Sequence, residues 1–526
     1  MKITVLAFAS LCGFAAKSQN VGIGTESPTN RLHVVNSANP LRLEGLAGGA
    51  GTDSILTADG SGVVKRRTVA SVLSGSAGWS ITGNSGVNSN TGFLGTLDAS
   101  ALVFRTFNQR SGFLDFDAAK RNNSFGNRAI EAITTGSGNN AFGFHAMRNI
   151  NTGTNNVAFG DSAAYTITSG SNNVAIGDDA GRSIGIGSQN IAIGSGTLSG
   201  EGAGSNNIGI GFRSLETVVG SENVAIGSLA LGRAVSTSNS LAIGSGTLGN
   251  YNGANLNFAI GNEALAATTT GYENLAYGYR AGFTTTGSLQ NTLIGHYAFG
   301  NVNPANTASY NTMLGYQAGA SMTGGSNNVA LGFNAAGTLG TGSNNTFVGY
   351  NADAASSLTA VSNSAAFGYQ ATVSANNQYR FGNTAVTSIG GQVGWSTLSD
   401  ERVKMNIHND VRGLSFIEKL NPVSYNYDLN KIDRLQHNGR TTADFTTSKN
   451  SSTRFSGFLA QDVEKAAKES GYEFSGVDKP ETADGLYALR YSEFVVPLVK
   501  AVQELKTIVD KQQQQIKELQ QKLLEK

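Results

Sequence analysis

From Asn122 to Gly382 the chain repeats one short pattern, Asn-Φ-Ala-Φ-Gly-x-x-Ala, where Φ is apolar. It reads Asn173-Val174-Ala175-Ile176-Gly177-x-x-Ala180, and again Asn223-Val224-Ala225-Ile226-Gly227-x-x-Ala230. Alternation over three residues predicts a short strand. The glycine predicts a corner at positive φ, where a β-carbon is costly. From Gly126 to Gly382 there are sixteen such glycines, and eleven of the fifteen intervals between them are 17 residues. That period is too short for a helical hairpin or a propeller blade and fits one coil of a β-solenoid. Sixteen coils at the β spacing of about 4.8 Å make a rod on the order of 70 Å long. The two Φ residues share a strand face and are expected to fill the coil interior, with the alanine facing outward. The asparagines are expected to stack from coil to coil as a ladder of amides.

Patterns on either side differ. Between Val21 and Arg121, short alternating segments such as Leu32-His33-Val34-Val35 and Ala101-Leu102-Val103-Phe104 predict a β-rich region, with Trp79, Ile81 and Phe113 to Phe116 as candidate core. After Ser399 the pattern turns α+β. Leu414, Ile417 and Leu420 predict a helix over 411–420, stopped by Asn421-Pro422. Strands are expected at 423–427, 455–459 and 486–490, a helix from Ala460 to Gly471, and a polar loop over 435–453. From Leu498 apolar residues recur at spacings of four and three: Leu498, Val502, Leu505, Val509, Ile516, Leu519 and Leu523, with Gln512 as the polar exception. This predicts a coiled coil. Branched residues at one core position and leucines at the other by themselves favour two strands.

Composition sharpens the break at Ser399. Residues 400–526 hold 38 of the chain's 73 Lys, Arg, Asp and Glu but only 6 of its 68 glycines, so two different materials are joined there. A net charge of +1 argues against a nucleic-acid partner. Lys2, the apolar run Ile3 to Phe14 and Ala16-Lys17-Ser18 predict a secretory leader over 1–18 and an extracellular or cell-surface protein. Cys12 lies inside that run, so its removal leaves no cysteine for a disulfide, a thiolate metal site or a nucleophile. No later apolar run reaches the roughly 20 residues of a membrane span. The rod is poor in aspartate and lacks the Gly-Gly-x-Gly-x-Asp repeats of a calcium roll. No cofactor and no metal are expected. The expected organisation is a leader over 1–18, a β-rich region over 19–121, a solenoid stalk over 122–395, a small α+β domain over 396–497 and a coiled coil over 498–526. The fold class is therefore mostly β, a solenoid of ~17-residue coils followed by an α+β domain and a coiled coil.

The repeat resembles the head repeats of trimeric autotransporter adhesins, which implies a left-handed β-roll associated as a trimer. The second half of the chain carries Leu398-Ser399-Asp400-Glu401-Arg402-Val403-Lys404-x-x-Ile407, Leu420-Asn421-Pro422-Val423-x-Tyr425 and Gly457-Phe458-Leu459-Ala460-Gln461-Asp462-Val463. With the terminal heptads, these resemble the intramolecular chaperone domain that ends endosialidase-type phage tail fibres and bacterial surface fibres. The resemblance implies a domain that trimerises, helps the fibre fold and then cuts itself off. It makes Ser399 the nucleophile, Lys404 its general base, Ser399–Asp400 the cut bond, and Gly457, Ala460 and Gln461 the second motif. Where many members have a histidine, two residues before that glycine, this chain has Phe455. A serine hydroxyl needs a base, and lysine serves only when burial or nearby cations lower its pKa from about 10.4; Arg402 is a neighbouring cation. The function expected is a secreted homotrimeric fibre that binds a cell-surface glycan or host-surface ligand. The alternatives are an adhesin that keeps its C-terminal domain as a trimer clamp, and a glycan-degrading tail spike.

Overall fold

A computed structural model describes residues 94–526 apart from 99, 116, 203, 254–255, 300–305, 437–451 and 481–484; before residue 94 it describes Ser61 and four strands. The leader, Trp79, Ile81 and Phe116 lie outside the described residues. The chain divides into two compact units, Met1–Gly95 and Thr96–Lys526. In the first, Val21–Ile23 pairs parallel with Leu32–Val34, and Ser54–Ala58 pairs antiparallel with Val64–Thr68.

The second unit begins with a hairpin, Leu102–Thr106 against Gln109–Leu114. Its two turn residues, Phe107 and Asn108, have φ of 47° and 55°, the left-handed pair that matches strand twist. The hairpin's second strand pairs antiparallel with Asn123–Phe125, the first strand of the solenoid. From there to Tyr379–Phe381 sixteen three-residue strands stack parallel and in register, one per coil. Val174 faces Ile191, for example, and Ala175 faces Ala192. Gly160 turns the corner of its coil at φ 140°, and a β-carbon there would collide with the Gly177 carbonyl of the next coil. Glycine is therefore required twice over, by conformation and by the close approach of coils.

The asparagine ladder is present and buried. Asn156 Nδ2 donates to Asn139 Oδ1 at 3.0 Å and to the Gly170 carbonyl at 2.8 Å, and its backbone N–H also reaches Asn139 Oδ1 at 3.0 Å. Asn173 repeats all three bonds on Asn156 and Gly187. Each amide thus satisfies a buried backbone group that a helix or sheet would otherwise have to pair.

The direction of the strands corrects the expectation. The middle alanine faces inward: Ala158, Ala175, Ala192 and Ala225 are fully buried. The flanking Φ residues face outward, with Phe159 43% and Ile176 40% exposed. The reason is volume. A 17-residue coil encloses a thin interior already occupied by the asparagines and by a second buried apolar residue, such as Met147, Leu231 or Leu248. Only a methyl group fits opposite them. Where the inward residue is larger, its neighbour shrinks. A β-carbon at Gly282 would lie 2.8 Å from Leu293 Cδ1, and one at Gly319 2.8 Å from Met313 Sδ.

The second buried apolar position also has positive φ in coil after coil: Met147 (48°), Leu198 (52°), Leu231 (49°), Leu248 (50°). Ile130, at φ 50°, is the β-branched member. Such a side chain is strained in the left-handed region. Ile130→Leu, which copies the other coils, is expected to raise stability by roughly 1 kcal/mol, read as a higher midpoint in chemical denaturation.

Beyond Phe381 residues 385–399 are exposed and carry no strand. The α+β region contains a 3-10 turn (Glu401–Val403) and helices α1 (Leu414–Ile417), α2 (Leu429–Gln436), α3 (Ala460–Glu469) and α4 (Val495–Leu524). Two antiparallel pairs accompany them, Val423–Tyr425 with Phe455–Gly457 and Val477–Asp478 with Ala488–Leu489. The first helix is thus one turn rather than ten residues. Helix α2 and the strand at 477–478 were unanticipated, and α4 starts three residues before Leu498. Phe416 on α1 is the centre of the core, packed against Phe474 and Tyr472 with ring centroids 5.0 and 5.3 Å away, beside buried Val463 and Phe494. Helix α1 has no cap of its own at Gly413. Glu504 of α4 supplies one, accepting from the Leu414 N–H at 2.8 Å.

Candidate functional site

The junction motif folds on itself. Asp400 caps the 3-10 turn through the Arg402 N–H at 2.9 Å, and the Arg402 guanidinium grips the same carboxylate at 3.0 and 2.7 Å. The Arg402 side chain, then its backbone N–H, holds the Asp400 carboxyl below the ordinary carboxylate range. The turn reverses the chain enough for a residue and its fifth neighbour to meet: Lys404 Nζ donates to Ser399 Oγ at 2.7 Å. A nucleophile and a base in hydrogen-bond contact is the arrangement that Ser/Lys chemistry requires. Both side chains are exposed. Arg402 is engaged by Asp400, so its charge is largely compensated instead of being free to act on Lys404.

Gly457 ends a strand beneath two tyrosines, and a β-carbon there would collide with the Tyr491 hydroxyl. That hydroxyl accepts from the Phe458 N–H at 3.1 Å. Ala460 is buried at the start of α3, while Gln461 is exposed. The motif therefore fixes an aromatic seam. Phe455 packs on Tyr427 and Tyr425, with centroids 5.3 and 6.2 Å away, and the two tyrosine hydroxyls lie 3.2 Å apart. The Tyr427 hydroxyl and partial burial push the Tyr425 phenol up to about 12. Among the described residues, no hydrogen bond joins Ser399 or Lys404 to this seam. Tyr425 and Tyr427 share a strand face by their spacing, a legible signal; the role of Tyr491 was not legible.

On α4, packing buries only Pro497 and Ala501. Leu498, Val502, Leu505, Val509, Ile516, Leu519 and Leu523 are between 39% and 78% exposed, and Gln512 is exposed among them. The outward columns of the solenoid are unpartnered in the same way. Phe142 and Phe159 stack at 4.7 Å, and Tyr316, Phe333, Tyr350 and Tyr369 form an exposed stack at 5.0 to 5.4 Å. Among the described residues no helix is long and apolar enough to cross a membrane.

No curated protein matches the chain in sequence. Residues 399–472, from the candidate nucleophile to Tyr472 beside Phe416, match the family described as chaperone of endosialidase, so a domain of that family stands behind a β-solenoid in this chain.

Proposed function

We propose that this is an exported, homotrimeric surface fibre whose solenoid is the stalk and whose residues 396–526 align and fold three chains. The observation that carries this reading is the apolar outer face of the strands, repeated along the solenoid and followed by the exposed heptads of α4. Exposed apolar surface on this scale marks a protein interface. A second and third copy present matching columns at the same 17-residue period. The leader over 1–18 would export the chain, and a surface glycan is the ligand class for the stalk.

The domain then separates itself at Ser399–Asp400. Lys404 in its neutral form takes the Ser399 Oγ proton, and the oxygen attacks the carbonyl carbon of the Ser399–Asp400 bond in a neighbouring copy. The bond to the Asp400 nitrogen breaks as that nitrogen takes the proton from the lysine. Water then hydrolyses the ester, restoring the hydroxyl and leaving a carboxylate. A neutral lysine requires loss of solvent, which partner chains would supply on closing over the exposed junction. Cleavage is thereby tied to assembly. The test is the intact and native mass of the purified protein beside Ser399→Ala and Lys404→Ala. Expected are a trimeric native mass, a fragment starting at Asp400 in wild type, and uncut chains in both variants. A monomer would overturn the fibre reading.

A second reading is a permanent trimer clamp. The pairing of Arg402 with Asp400 and the open surroundings of Lys404 favour it, because the lysine then has neither a free neighbouring cation nor burial to activate it as a base. An uncut wild-type trimer would decide for it.

A further inference from the structure

Residues 382–399 join the last coil to the α+β region and carry no charged side chain. From 385 to 399 every residue is exposed. Ile389, Val393, Trp395 and Leu398 are among them, and the exposed apolar series continues past the Ser399–Asp400 bond to Val403 and Met405. Trp395 is 88% exposed and Met405 87%. A spacer surrounded by water alone is poor in apolar residues and rich in charge; this one is neither. Its glycines point the same way. Gly390, Gly391 and Gly394 have no positive φ, and a β-carbon on Gly390 or Gly394 would meet nothing within 4 Å. Neither conformation nor crowding calls for glycine there in a single chain. What remains is the close approach of another backbone.

Continuity decides whose backbone that is. Phe367 stacks on Phe381 with centroids 5.1 Å apart, and Phe381 reaches Trp395 at 6.1 Å, so the outward column of the strands runs on into the segment. On its other side stand the exposed heptads of α4. Copies held together by both surfaces bring their equivalent segments together as well. The chain's own residues 437–451, outside the described residues, hold only Ala443 and Phe445 as apolar side chains, too few to cover it. We propose that residues 386–405 of neighbouring copies pack against one another, apolar side chains over the glycines, and enclose Ser399 and Lys404 at that contact. This presupposes that the chain assembles as a fibre, and it names the surface that closes over the junction. The Ser399–Lys404 pair, open to solvent in one copy, is then incomplete until a second copy covers it.

The experiment uses the full-length Ser399→Ala chain, which stays in one piece whether or not the wild type is cut, with Trp79→Phe so that Trp395 is the only tryptophan. Native mass is read beside acrylamide quenching of Trp395 fluorescence, with N-acetyltryptophanamide as the fully exposed reference. Where Trp79→Phe alters the circular dichroism, the difference between chains with and without Trp395→Phe isolates the same signal. Expected is a trimer in which Trp395 is quenched at least fivefold less than the reference. Gly390→Val with Gly394→Val, for which a single chain has room, should raise the quenching at least threefold, whether the copies stay together through the heptads or come apart. A trimer whose Trp395 is quenched like the reference would overturn this contact and leave the fibre standing, whereas a monomer would remove both. Shielding that the two valines leave unchanged would show that something other than the neighbouring copies covers the segment, and would overturn the proposal too.

Discussion

A chain ending at Ser399 is expected to yield a stalk that aggregates or is digested by protease, with at least a tenfold loss of resistant trimer. The argument starts from similarity between coils. Val174 pairs with Ile191 and Val157 equally well, and the ladder bond from Asn173 to Asn156 has the same lengths as that from Asn156 to Asn139. A coil that slips by one repeat along a partner loses little, so nothing local sets the alignment of three stalks. Meanwhile the outward columns present Phe159, Ile176, Ile226 and Leu331 to solvent, a template for association out of register. Residues 400–526 offer what the stalk lacks, a core around Phe416 and a single heptad helix that can align only once. Sedimentation and limited proteolysis of the truncated and full-length chains make the comparison. A truncated stalk that forms trimers as resistant as those of the full chain would remove the chaperone role.

The second large effect depends on pH and comes from Asp353. It occupies the position held elsewhere by Leu248 or Ala336 and is 7% exposed. Both carboxyl oxygens accept backbone N–H groups, from Thr338 and Ala354, each at 2.8 Å. Burial nonetheless outweighs those bonds and pushes its pKa from 3.8 up to about 7. Between these values the folded chain holds a proton that the unfolded chain has released. Stability from this group is therefore complete below about pH 4, falls as pH rises, and is lost above about 7. At 1.36 kcal/mol per pKa unit the change is on the order of 4 kcal/mol. Asp353→Asn removes the titration but sets an amide N–H₂ against a backbone N–H. The variant should therefore be less stable than wild type near pH 4, and the gap should close or reverse by pH 8. Thermal unfolding of both proteins at the two pH values measures this. Parallel pH profiles would show that Asp353 is ionised in the fold.

The sequence by itself determined the period, the corners and the amide ladder. These features are local or strictly repeated, and each needs one residue type for one stated reason. The pairing of Ser399 with Lys404 was legible only through the resemblance of the motif, and the contact forms because the turn capped by Asp400 brings residues five apart together. Tertiary structure decided which way the strands face. The triplet Φ-Ala-Φ divides into two faces equally well in either direction, and only the width of the closed coil selects the methyl for the inside. It also decided that Glu504 caps a helix 90 residues before it and that Tyr491 lies over Gly457. Each of those depends on distances between elements far apart in the chain, set by packing against a shared core rather than by any pattern along it.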